Sequence, residues 1–168
     1  MIYVLRLVHV LSGVFWVGAV LFTALLLMPS LRAAGPAAGP VMAQLGQRRM
    51  PVIMMTIAFL TIGSGIWLMA RASGGNMGLW MRSGPGRTFA LGGALAIVTL
   101  VVGMAINMPA AKRLAAIGQG ATQRGGAPTP EEAAELQRLQ RRMGITSQIV
   151  AVLLALATAA MAVARYVR

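Results

Sequence analysis

Thr88–Met108 reads TFALGGALAIVTLVVGMAINM. It holds no charged residue, and its length matches the roughly 20 apolar residues that a helix needs to cross a bilayer. Three more segments meet the same criterion: Ile2–Leu31, Met50–Ala70 and Gly144–Ala164. Only 11% of the 168 residues are charged, against about a quarter in soluble domains, and mean hydropathy is +0.75. These runs predict an all-α, polytopic membrane four-helix bundle forming a single domain over residues 1–168. The first run lacks a basic stretch ahead of it and is too long for a signal peptide, so it is read as a retained helix.

The connections carry the charge. Net charge is +12, and fourteen of the fifteen basic residues are Arg. Their place beside apolar runs points to anionic lipid headgroups or acidic loops of other membrane subunits, not to nucleic acid. Six basic residues fall on the side bearing both termini and nine on the other. The positive-inside rule then puts the termini in the periplasm of a bacterial inner or intracytoplasmic membrane. Tyr3, Trp67, Trp80, Phe89 and Tyr166 gather toward the terminal face as an interfacial belt.

The first loop is broken by Gly35, Pro36, Gly39 and Pro40, and Pro51 is expected to kink a helix that starts as early as Val41. Gly118–Pro130 reads as a mobile loop. Thr129-Pro130-Glu131-Glu132 then spells a capping box, and apolar residues at helical spacing follow it. Residues 130–143 should therefore extend the fourth helix as an amphipathic cytoplasmic stalk. Met28-Pro29-Ser30-Leu31-Arg32 echoes Met108-Pro109-Ala110-Ala111-Lys112, and Gln47-Arg48-Arg49-Met50 echoes Gln140-Arg141-Arg142-Met143. The pattern predicts a duplicated transmembrane hairpin with a pseudo-twofold axis along the membrane normal; convergence of Arg-flanked apolar runs is the alternative.

Chemistry is sparse. The sequence has no Asp and no Cys, and its three Glu residues sit at the start of the fourth helix. Thiolate metal sites, carboxylate dyads and hydrolytic triads are excluded, and the reading is of a chain that is not an enzyme. His9 shares one helical face with Arg6, Gly13 and Trp16. That face has two readings. In one, His9 ligates a haem or a chlorophyll-type pigment, with Gly13 admitting the ring, Arg6 pairing a propionate and Trp16 stacking. In the other, the imidazole hydrogen-bonds a carbonyl or hydroxyl on a neighbouring helix, and Arg6 snorkels to headgroups. Met50/Met54 and Met104/Met108 are spaced by one turn and offer a thioether copper site, against their ordinary use as gap fillers. Ser12, Thr23, Thr56, Thr61, Ser64, Thr99, Asn107 and Gln148 are expected to bond between helices.

The run Leu7-Val8-His9-Val10-Leu11-Ser12-Gly13-Val14-Phe15-Trp16-Val17-Gly18 resembles the opening helix of CopD-like membrane proteins, a group that includes HemJ-type oxidases. His9, Trp16 and Gly18 match its His, six residues, Trp-x-Gly pattern, and Pro29 fits the helix end. The resemblance covers about thirty residues and implies a small four-helix membrane scaffold handling haem or copper. Copper-handling members carry further His or Met ligands in later helices and the oxidases carry additional polar residues; here the later helices have no His, and those polar residues are missing. Two functions follow as expectations: a non-catalytic subunit of a larger respiratory or photosynthetic membrane complex, or a CopD-like haem- or copper-handling protein centred on His9.

Overall fold

A computed structural model describes residues 2–167, Pro36 and Ala43 by backbone alone. It is a bundle of four long apolar helices. The first span joins α1 (Ile2–Phe22) through a π-helical turn, Thr23–Leu27, to α2 (Met28–Ala34). A 3₁₀ turn and α3 (Ala38–Gln47) lead to the second span, α4 (Met50–Ala72). The short α5 (Met77–Trp80) lies between the halves. The third span joins α6 (Gly84–Val102) through a second π turn, Gly103–Asn107, to α7 (Met108–Gln123). The fourth, α8 (Pro130–Val163), runs without interruption.

The closest pairings are α1 with α4 and α6 with α8, so the bundle is two hairpins side by side. Their correspondence extends beyond the motifs. Both π turns end on a Met-Pro, with Met28 N–H donating to Thr23 O and Met108 N–H donating to Gly103 O. The cause is local: a proline ring clashes with the carbonyl four residues back, and the wider turn moves that carbonyl aside. Counted from the two Arg pairs, Ala58, Thr61 and Ser64 on α4 are buried at the same places as Ala151, Leu154 and Ala157 on α8. Counted from the two Met-Pro pairs, Trp16 matches Ala96, and both are buried.

Small residues make the contact. Ala58, Ala96, Ala151 and Ala157 line the interior, with Trp16 and Leu154 as its large members. A Cβ at Gly92 would lie 2.9 Å from Met161 Cγ and 3.1 Å from the Ala157 carbonyl, so α6 reaches α8 backbone to side chain. That is how helices associate in hydrocarbon, where burying leucine yields no advantage over leaving it in lipid. The large apolar residues point outward instead, among them Val14, Leu25, Val101 and Val152. At the terminal face Tyr3, Trp67 and Tyr166 are exposed, and Trp80 stacks on Phe89 with centroids 6.3 Å apart.

Two expectations need correction. The second span is not kinked at Pro51: the chain breaks ahead of it, with Arg49 left-handed at φ 53°. An unbroken helix would drive the Pro51 ring into the Gln47 carbonyl. In the second half Gly144 stands where Pro51 stands in the first, and α8 passes its Arg pair intact. Nor is Gly118–Pro130 all loop. The third span stays helical to Gln123 and buries Ala110, Ile117 and Ala121, so the start of α8 has a helical partner instead of standing alone.

The capping box at Thr129 and Glu132 forms as read from sequence. The two helices of this extension are also joined by Arg113, whose Nε and Nη2 donate to the Glu135 carboxylate at 2.8 and 2.9 Å. That fork holds Glu135 below the usual carboxylate range. Because the folded-state value is lowered, its contribution is complete above the ordinary carboxylate range and is lost as pH falls through the lowered value. Amide exchange across residues 113–123, corrected for intrinsic rates, should accelerate in that acid window. Glu135→Gln should show the faster exchange already at neutral pH. Identical protection in both proteins at all pH values would remove the ion pair from the account.

Candidate functional site

Four polar side chains of the apolar spans, His9, Ser12, Thr61 and Ser64, converge on one seam between α1 and α4. Ser12 Oγ donates to the Val8 carbonyl at 2.6 Å and accepts from Thr61 Oγ1 at 2.9 Å. Thr61 Oγ1 also lies 2.8 Å from the Ile57 carbonyl, so its single proton is shared. His9 Nδ1 lies 2.8 Å from the Thr61 carbonyl and 3.3 Å from Ser64 Oγ. Ser64 Oγ in turn sits 2.5 Å from the Leu60 carbonyl and donates there.

Since a carbonyl can only accept, Nδ1 must carry the proton and donate. The tautomer is thereby set, and the Nε2 lone pair has no hydrogen-bond partner among the described residues. The ring lies flat against α4 because residue 65 is glycine. A Cβ there would stand 2.8 Å from His9 Cε1 and 3.2 Å from Nδ1. Hydrogen bonds between membrane helices average about 0.6 kcal/mol and reach about 1.7. The seam therefore contributes on the order of 1–3 kcal/mol, enough to set the register of α1 on α4 but small against the packing around it.

Of the face proposed from sequence, the structure gathers three residues and separates one. His9, Gly13 and Trp16 all turn toward the bundle, and Arg6 is exposed. Trp16 is 5% exposed, packed with Ala58, Ala96, Val150 and Leu154. A Cβ at Gly13 would meet Thr61 Cγ2 at 3.5 Å. The surface meant to admit a flat ring is thus occupied by α4. A groove of about 350 Å³ near the termini is lined by Ile2, Leu5, Val8, Trp67 and Arg71, with His9 outside it.

The second hairpin has no such seam. The counterparts of His9, Ser12 and Thr61 are Phe89, Gly92 and Leu154. Nor do all the expected interhelical hydroxyls and amides behave alike. Thr56 bonds its own helix at the Val52 carbonyl, and Gln148 is exposed. Thr99 Oγ1 and Asn107 Oδ1 are buried without a partner among the described residues. Met54 packs against the core while Met104 is 41% exposed. Among the described residues no group of three or more His, Cys, Asp or Glu stands close enough to hold a metal ion. Sequence reasoning missed Gly65 and Ser64 as the partners of His9. The signal was present, since Thr61, Ser64 and Gly65 sit together on one face of the second span.

No family model matches the chain, and no curated protein or solved structure matches it either.

Gly65→Ala should push the His9 ring off the Thr61 carbonyl. Overpacking of this kind costs about 1–3 kcal/mol, more than the ~1 kcal/mol that Ala gains over Gly in a helix. In a His9→Ala background the obstruction is gone, and the same substitution should be neutral or stabilising. Thermal unfolding of the four proteins of this cycle in detergent measures the coupling. Additive effects would mean that the ring does not rest on Gly65.

Proposed function

We propose that this chain is a non-catalytic integral membrane subunit that stabilises or helps assemble a larger bacterial energy-converting complex, respiratory or photosynthetic. The carrying observation is how the seam and the surface divide the chemistry. His9, Ser12, Thr61 and Ser64 turn inward onto one another between α1 and α4, and the outward faces are dominated by large apolar side chains. A bundle of that kind offers neighbouring helices smooth, lipid-like surfaces. Outside the apolar runs, Arg48, Arg71, Arg82, Arg138 and Arg142 are all exposed, in the connections, at helix ends or on the first third of α8, to grip acidic loops or headgroups. In this reading the chain binds lipid, contacts other membrane subunits and catalyses nothing.

A second reading rests on His9. With Nδ1–H held by a backbone carbonyl, Nε2 presents its lone pair in the manner of a metal-ligating histidine whose other nitrogen is anchored. A haem, chlorophyll-type pigment or copper ion would be held there, as the CopD-like resemblance implies. Nε2 fits that role, and the closed surface at Gly13 and Trp16 does not.

Purification from native membranes in mild detergent tests both readings together. The scaffold reading expects a large assembly with stoichiometric partner proteins and no absorption assignable to this chain. A lone small particle with a Soret band or stoichiometric copper, lost in His9→Ala, would replace it with the second. Orientation has its own test, because the native chain has no cysteine. With the termini in the periplasm, Arg82→Cys should react with an impermeant thiol reagent in intact cells, and Gly126→Cys only after lysis. The reverse pattern inverts the topology.

A further inference from the structure

On the face opposite the termini, Arg32 of α2 and Arg141 of α8 line one groove of about 380 Å³. Gln137, Gln140 and Gln148 complete its polar wall. The Arg32 guanidinium lies against the backbone of Gly144, where a Cβ would overlap Nη2. Neither arginine has a carboxylate partner among the described residues; the ion pairs found there join Arg113 to Glu135 and Arg124 to Glu132. Arg32 follows the apolar run of the first span and Gly144 opens that of the fourth, so the groove sits at the hydrocarbon border. Below it α8 continues with Ile145, Ile149, Val152 and Leu156, a single helical stripe whose members are each at least 50% exposed.

We propose that this groove is a binding site for the phosphate headgroup of an anionic lipid, with an acyl chain along the stripe. Two guanidinium groups give forked donors matched to phosphate oxygens. The three glutamine amides add donors for the remaining phosphate and glycerol oxygens. A free phosphate would satisfy the same cradle but make no use of the apolar stripe beneath it, so the site is assigned to a lipid. It depends on neither reading of His9.

The test is native mass spectrometry of the full chain, purified in detergent and offered phosphatidylglycerol, phosphatidylcholine or inorganic phosphate. The wild-type protein should retain phosphatidylglycerol over phosphatidylcholine. Loss of one surface arginine weakens such an attraction about fivefold, so Arg32→Gln/Arg141→Gln should lower phosphatidylglycerol occupancy about tenfold or more. Arg6→Gln/Arg82→Gln, which removes equal charge at the other face, should leave it within about twofold. Gly144→Ala keeps both charges and favours the helix, yet displaces the Arg32 guanidinium; it should lose occupancy too, and circular dichroism checks that it folds. Equal losses from both arginine pairs, or retention by Gly144→Ala and the Arg32/Arg141 pair alike, would overturn the site. Inorganic phosphate competing at matched concentration would overturn the lipid assignment.

Discussion

Two helices in hydrocarbon gain nothing by hiding leucines from one another, since lipid is as apolar as a leucine. What draws them together is close contact and whatever hydrogen bonds the contact permits. Everything about this bundle follows from that constraint. Alanine, glycine, serine and threonine occupy the helix crossings, and the large aliphatic side chains are turned out. The interior is a list of small residues because only small residues let backbones approach. Trp16, Val150 and Leu154 are larger, filling the centre where the hairpins meet.

Within that frame the two hairpins solve one problem differently. The α6–α8 pair closes with glycine and alanine against Leu154 and Met161, by shape alone. The α1–α4 pair uses an imidazole, three hydroxyls and a glycine at matching positions. The polar solution adds direction: a hydrogen bond from Nδ1–H to one carbonyl admits one register, where a smooth interface tolerates several. It also fixes the tautomer of the only histidine, so its remaining lone pair faces one way.

The four spans, their order and the capping box at Thr129 were legible from the sequence, because hydropathy and turn chemistry are local properties. The repeat was legible through Met-Pro and the Arg pairs. What escaped were features decided between segments. Pro51 announced a disturbance, but whether the chain would kink or break depended on the geometry left open to Arg49. Gly118 and Gly120 read as loop, yet the helix continues through them because α8 offers a surface for Ile117 and Ala121. His9 could be placed on a face with Gly13 and Trp16. That α4 would close over that face was a tertiary fact, and its trace in the sequence was the cluster Thr61, Ser64, Gly65.

The paired π turns carry a consequence in helical phase. Each holds one residue more than an α turn, and one residue is about 100° of rotation about the axis. Every side chain beyond Met108 is therefore turned by roughly a quarter circle from where an uninterrupted helix would have aimed it. Ala110, Ile117 and Ala121 look inward, and Arg113 reaches Glu135, because of a backbone slip between Gly103 and Asn107. The proline that follows acts like a vernier. With the wide turn ahead of it, it keeps one continuous rod facing α8 both in the membrane-embedded part of the span and in the part beyond.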